Sequence, residues 1–175
     1  MAIDVTQIRN VGIVGQGGAG KTSVAEALIF GMGATNRLGS PDDESSSFDF
    51  EPEEQRRKLS LSTALHHGGW KKCEITVVDT PGYANFLTDG LNCMRACTGL
   101  VFVTEATPGA LKVEAEKVWA RAQELGLPCI GFVSKMDREL ADFDAAVADL
   151  RDVLGAKAVP VQLPIGAADE FRGVV

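Results

Sequence analysis

Residues 15–22, Gly15-Gln16-Gly17-Gly18-Ala19-Gly20-Lys21-Thr22, constrain this chain more than any other stretch. They fit the pattern G-x-x-x-x-G-K-[S/T], a loop whose backbone N–H groups turn inward around a polyphosphate. Four glycines allow turns that are closed to bulkier residues. Lys21 brings a point charge for the outer phosphates. Thr22 brings a hydroxyl for Mg²⁺, and Ser23 is the next polar group. The flanks agree with the motif. Residues 10–14 (NVGIV) read as a buried strand, and residues 22–30 (TSVAEALIF) as a helix with its N-terminus aimed at the phosphates. A Gly-rich turn without a ligand would not need strand, Lys-Thr and helix in this register.

The rest of the chain alternates strand and helix patterns, which predicts an α/β fold of the phosphate-loop NTPase type: a mainly parallel central sheet with flanking helices. Its 175 residues suit one domain with a substantial core. The formal net charge of −7 lacks the global basic footprint of an autonomous nucleic-acid binder. The start, Met1-Ala2-Ile3-Asp4, does not read as a secretory signal, and no apolar run is long enough to span a bilayer. Four cysteines without a CxxC pair fit thiols in a reducing cytosol. Adjacent His66 and His67 point to opposite faces of a strand and make a poor metal pair.

Further along, residues 40–57 are rich in Ser, Asp and Glu, with Phe48 and Phe50 as anchors; such a segment is expected to bury little surface and to be mobile. Residues 59–65 read as a half-exposed strand, antiparallel to a strand at 74–78 across a Gly68-Gly69 turn. Helices are expected at 86–96, 113–125 and 142–154, and strands at 99–103 and 129–133. Residues 159–165 look like another strand, and residues 171–175 enter a further one. Val174-Val175 carry no termination signal, so the chain is expected to continue.

Two strand ends carry further chemistry. Asp79-Thr80-Pro81-Gly82 follows a β-branched strand. An Asp there, beside a phosphate loop, is placed for the Mg²⁺ shell, and Gly82 offers an unobstructed N–H to a terminal phosphate. Ser134-Lys135-Met136-Asp137 ends another buried strand. The Asp137 carboxylate can accept from both N1–H and N2–H₂ of guanine, a pair adenine lacks. Lys135 can lay its stem along the purine. Both aspartates sit on the side where α/β sheets bind ligands.

The set GQGGAGKT, DTPG and SKMD resembles a translational GTPase, specifically the G domain of elongation factor G, and GATNRLGS at 33–40 with DFEPEE at 49–54 resembles the divergent elongation-factor-G-like branch. Arg9 to Ile13, Asp137-Arg138 with Ala141-Asp142-Phe143, and Pro160 to Gly166 carry the likeness along nearly the whole chain. The resemblance implies GTP and GDP as ligands, Mg²⁺ as cofactor, the ribosome as partner of the full-length protein, no membrane and a cytoplasmic location; these 175 residues by themselves are expected to be monomeric. It implies GTP hydrolysis, with Lys21, Gly82 and Tyr83 nearest the reaction. Thr22, Ser60 and Asp79 would hold the metal. It divides the chain into a core at 1–157 and the start of an inserted subdomain at 158–175.

The departures from that family are specific. Tyr83 stands where DTPGH has His, and a phenol of pKa about 10 is a poor base at neutral pH. Ser134 stands for the Asn of N-K-x-D, removing an amide that ties the base loop to the phosphate loop. Gly18 replaces an Asp. Arg57-Lys58-Leu59-Ser60 stands for R-G-I-T, leaving Ser60 as the hydroxyl. The family's last guanine-contacting Ser-Ala motif is not in the sequence. A switch with little hydrolysis, and a nucleotide kinase or ATPase, are the competing readings.

Overall fold

A computed structural model describes residues 4–175. Strand β1 (Ile8–Val14) leads through the phosphate loop into helix α1 (Lys21–Gly31). A long connection containing the short helix α2 (Pro52–Arg57) returns the chain to β2 (Ala64–Trp70) and β3 (Cys73–Asp79). Then come α3 (Leu87–Cys93), β4 (Gly99–Glu105), α4 (Val113–Glu124), β5 (Cys129–Ser134) and α5 (Phe143–Asp152). A two-stranded ribbon of β6 (Pro164–Ile165) and β7 (Gly173–Val174) follows.

The sheet order is β2-β3-β1-β4-β5. β3, β1, β4 and β5 run parallel, and β2 is antiparallel to β3. The mainly parallel sheet expected from the alternating pattern is therefore present. Strand side chains alternate between faces, so neighbours in β1 serve different cores. Ile13 packs with Ala25, Ile29, Val77 and Val103 under α1. Val14 packs with Val78, Leu87, Phe102, Val118 and Leu150 under α3, α4 and α5. β1 has β3 on one side and β4 on the other, so the chain leaves β1 at the point where connections diverge to opposite sides of the sheet. That crevice, at the carboxyl ends of the strands, is where open α/β sheets take ligands.

Several sequence expectations give way. β2 begins at Ala64, not at residue 59, and it runs through Gly68 and Gly69. Those glycines pair with Ile75 and Glu74 inside the ladder. The turn falls instead at Lys71 and Lys72, with Lys71 at φ 54. Gly68 answers a packing need: a Cβ there would stand 3.0 Å from that of Ala34. Residues 40–57 also bury more than their composition suggests. Phe48 is 1% exposed and joins the α1-side core, and Asp49 and Glu54 are buried. Phe50 anchors nothing, being exposed. Of residues 159–165 only Pro164 and Ile165 form a strand. His66 and His67 do diverge: His66 faces Phe48, with ring centroids 6.0 Å apart, while His67 meets Glu74.

Candidate functional site

The phosphate loop connects β1 to α1 with Gly15, Gly18 and Gly20 at φ of 140°, 80° and 88°. Gly15 also passes so close to β4 that a Cβ would meet the Val103 carbonyl oxygen at 2.3 Å. Gly17 differs from these three. Its backbone is not left-handed, and what excludes a side chain is the ring of Tyr83, 2.8 Å from where a Cβ would stand. The Gln16 side chain turns out of the cleft. Its amide donates to the Ala110 carbonyl (2.6 Å) and accepts from the Lys112 N–H (2.8 Å), bracing the loop against the β4–α4 connection. Only the backbone of Gln16 faces the site, where its carbonyl receives the Lys21 ammonium at 2.8 Å.

Asp79 ends β3 beside the loop. Its Oδ2 accepts the Thr22 hydroxyl at 2.7 Å. The Ser60 hydroxyl donates to Asp49 Oδ1 at 2.7 Å and lies 3.1 Å from Thr22 Oγ1. A hydroxyl has one proton and two lone pairs. With both protons committed outward, the lone pairs of Thr22 and Ser60 face each other across a short gap. Asp79 Oδ1 is buried beside them without a hydrogen-bond partner among the described residues. Two hydroxyl oxygens and a carboxylate oxygen with nothing to accept from make a donor set for a hard divalent cation such as Mg²⁺. The residues fit that ion.

Burial sets the electrostatics. It pushes the Lys21 ammonium down to about 8, opposed by the charges of Asp79 and Asp49. It pushes the Asp79 carboxyl up to about 7, opposed by the Thr22 hydrogen bond and the Lys21 charge. It raises Asp49 as well, against the hydrogen bond from Ser60. An anion at Lys21 and a cation at Asp79 would restore both charged forms.

Gly82 packs directly on the loop: a Cβ there would stand 2.2 Å from Lys21 Nζ and 2.6 Å from the Gln16 carbonyl carbon. Ser23, Lys58, Ser60, Tyr83, Lys135 and Arg138 line the same cleft. Ala19 is fully buried, and its carbonyl accepts the Ser134 hydroxyl at 2.7 Å. Ser134 lacks the amide of the family's N-K-x-D, yet its hydroxyl bridges the end of β5 and the phosphate loop. It has a second acceptor in the Thr104 carbonyl at 3.0 Å, and its single proton serves one at a time. Lys135 adds a second tie, donating to the Gly18 carbonyl and pairing with Glu105 at 2.9 Å. Asp137 lies three residues beyond the end of β5 and is exposed.

Sequence reasoning missed Asp49, Arg138 and the bracing role of Gln16. Asp49 sits in a stretch whose Ser/Asp/Glu composition reads as solvated, and only its docking on α1 and β2 buries it.

A phosphate loop leaving the central strand, with a carboxylate from the next strand on its threonine, defines an α/β nucleotide-binding domain. Comparison with known proteins narrows that class. A family model described as the elongation factor Tu GTP binding domain matches residues 6–173. The chain is 37% identical over 172 residues to elongation factor G of Chlamydia caviae, covering 98% of this chain and 25% of that protein. It is 36% identical over 173 residues to elongation factor G of Fervidobacterium nodosum, covering 99% and 25%. A crystal structure of a protein from Thermus thermophilus superimposes with a TM-score of 0.87 at 30% identity, over 97% of this chain and 25% of that one. This chain belongs to the elongation factor Tu GTP-binding domain family, within the translational GTPases. It spans about a quarter of the length of the relatives it matches.

Proposed function

We propose that this domain binds GTP and GDP with Mg²⁺ and hydrolyses GTP, as the nucleotide-binding part of an elongation-factor-G-like protein working at the ribosome in the cytoplasm. The observation that carries the reading is the pair of facing hydroxyls, Thr22 and Ser60, beside the orphaned Asp79 oxygen. Mg²⁺, when bound there, would neutralise charge on the phosphate oxygens. Thr22 and Ser60 would hold it, with Asp79 behind them. The remaining work is positioning and electrostatics. The loop N–H groups from Gly15 to Ser23 and the Lys21 ammonium would hold the phosphates and balance the charge that builds on them. Gly82 would present its N–H to the terminal phosphate. Tyr83 would orient the attacking water without taking its proton. Asp137 would select guanine, with the Lys135 stem along the base and Ser134 keeping the base loop on the phosphate loop. Residues 158–175 would begin a subdomain inserted into the G domain.

A second reading, a GTP-dependent switch with little hydrolysis of its own, is favoured by the position of Tyr83. Its ring lies against Gly17, and the residue is 44% exposed. Single-turnover GTP hydrolysis by the full-length protein, with and without ribosomes, separates the two. Ribosome-stimulated release of phosphate supports the GTPase; tight GTP binding without release supports the switch.

A further inference from the structure

Glu26 lies within α1 and is fully buried. An apolar residue at this position would escape the cost of desolvating a carboxylate; what a carboxylate adds is strong acceptor geometry. Its Oε1 takes the Ser46 hydroxyl at 2.9 Å and also the Ser47 N–H. Ser46 Oγ in turn accepts the N–H groups of Phe48 (3.1 Å) and Asp49 (3.2 Å). Asp49 then holds Ser60, and Ser60 meets Thr22. One continuous chain of hydrogen bonds thus runs from the body of α1, through the turn at 46–49, to Ser60, which faces Thr22 at the start of the same helix.

Gly39 completes the arrangement. Glu26 Oε2 is buried without a hydrogen-bond partner among the described residues. A Cβ on Gly39 would stand 2.5 Å from that oxygen and 2.8 Å from the Ser45 carbonyl oxygen. Gly39 is not left-handed, so its lack of a side chain answers a need for room. The incoming segment closes down on the carboxylate at both ends, Gly39 and Ser46-Ser47.

We propose that Glu26 is a positioning residue: its carboxylate clasps Ser46 and Ser47 to α1 and thereby fixes Asp49 and Ser60 opposite Thr22, in the arrangement that takes the divalent cation. This inference rests on the Mg²⁺–nucleotide reading of the site. Glu26 itself touches neither the hydroxyl pair nor the phosphate loop cleft. It acts through the turn it holds.

Two measurements on the full-length protein test it. The first is hydrogen exchange in the nucleotide-free state, which needs no ligand. Glu26→Ala should speed exchange at the amides of residues 47–49 about tenfold or more, whereas Glu26→Gln, whose amide oxygen still accepts, should stay within about threefold. The second is GDP affinity titrated against Mg²⁺. In Glu26→Ala the Mg²⁺ concentration that gives half the tightening should rise about tenfold, while affinity in EDTA stays within about twofold. If Glu26→Ala does not fold, Glu26→Asp, whose shorter side chain draws the carboxylate back from Ser46 and Ser47, should give both shifts. Unchanged exchange at 47–49 overturns the clasp, as does an equal loss of GDP affinity with and without Mg²⁺, which is what a merely structural role produces. If exchange responds but wild-type GDP affinity ignores Mg²⁺, the metal reading of the site fails, and with it the claim that the clasp positions anything for a cation.

Discussion

The ring of Tyr83 rests on Gly17, closely enough that a Cβ at residue 17 would stand 2.8 Å from three of its ring carbons. The Tyr83 hydroxyl reaches toward Gly18, 3.9 Å from where a Cβ would stand there. Two departures from the family pattern, Tyr for His and Gly for Asp, are therefore neighbours in space. Gly17→Ala should push the ring aside at little cost in stability, since Tyr83 is partly exposed and can swing into solvent. GDP affinity should hold while single-turnover GTP hydrolysis falls about tenfold if, as proposed, the phenol orients the attacking water. An unchanged rate would show that this contact does not serve the reaction.

Tyr83 itself admits a graded test. A neutral phenol can orient water but cannot readily accept its proton. Tyr83→Phe should slow hydrolysis on the order of 10²-fold, the usual loss for one well-placed polar group. Tyr83→His should speed it. The rates come from single-turnover assays with ribosomes, and three equal rates would remove Tyr83 from the reaction.

Ser134 offers a binding test. Its hydroxyl ties the base loop to the Ala19 carbonyl at 2.7 Å. Ser134→Ala removes a hydrogen bond worth about 0.5–1.5 kcal/mol, so GDP affinity should drop roughly two- to tenfold by calorimetry. No change would mean that Lys135, through its bond to the Gly18 carbonyl, holds the two loops together alone.

The buried Asp79 predicts a pH dependence. Its folded pKa of about 7 lies above the ordinary 3.8. Between those values the folded, nucleotide-free protein binds more protons than the unfolded chain, so stability falls as pH rises. The contribution is full below about pH 4 and lost above about pH 7. Lys21 acts in a different window. Its folded pKa of about 8 lies below 10.5, so its effect is to raise stability from pH 8 upward. Denaturation in EDTA at pH 5, 6 and 7 should show a decline in the wild type, bounded by about 3 kcal/mol over those two units, that lessens in Asp79→Asn while the raised Asp49 keeps the remainder. Parallel declines in the two proteins would contradict the assignment.

What the sequence disclosed, and what it hid, follows from how local each signal is. The phosphate loop, Asp79 and the alternation of strand with helix are local patterns, and each appears in place. The position of β2 was hidden because Gly68 and Gly69 look like a turn, while their use is set by Ala34, more than thirty residues away. Asp49 and Glu26 were hidden for a related reason. Their burial comes from the docking of residues 39–49 on α1, and that stretch carries no period and few apolar residues to announce it. Gln16 was legible as a loop member, but the direction of its side chain depends on backbone groups near residue 110.

Calorimetry on the full-length protein tests the proposed metal-dependent guanine-nucleotide site most directly. GTP and GDP should bind, ATP should not, and EDTA should weaken the binding. Asp137→Asn should lose GTP and favour xanthosine triphosphate, because its amide can donate to the second xanthine carbonyl. Equal binding of ATP and GTP, or guanine-nucleotide affinity untouched by both EDTA and Asp137→Asn, would contradict it.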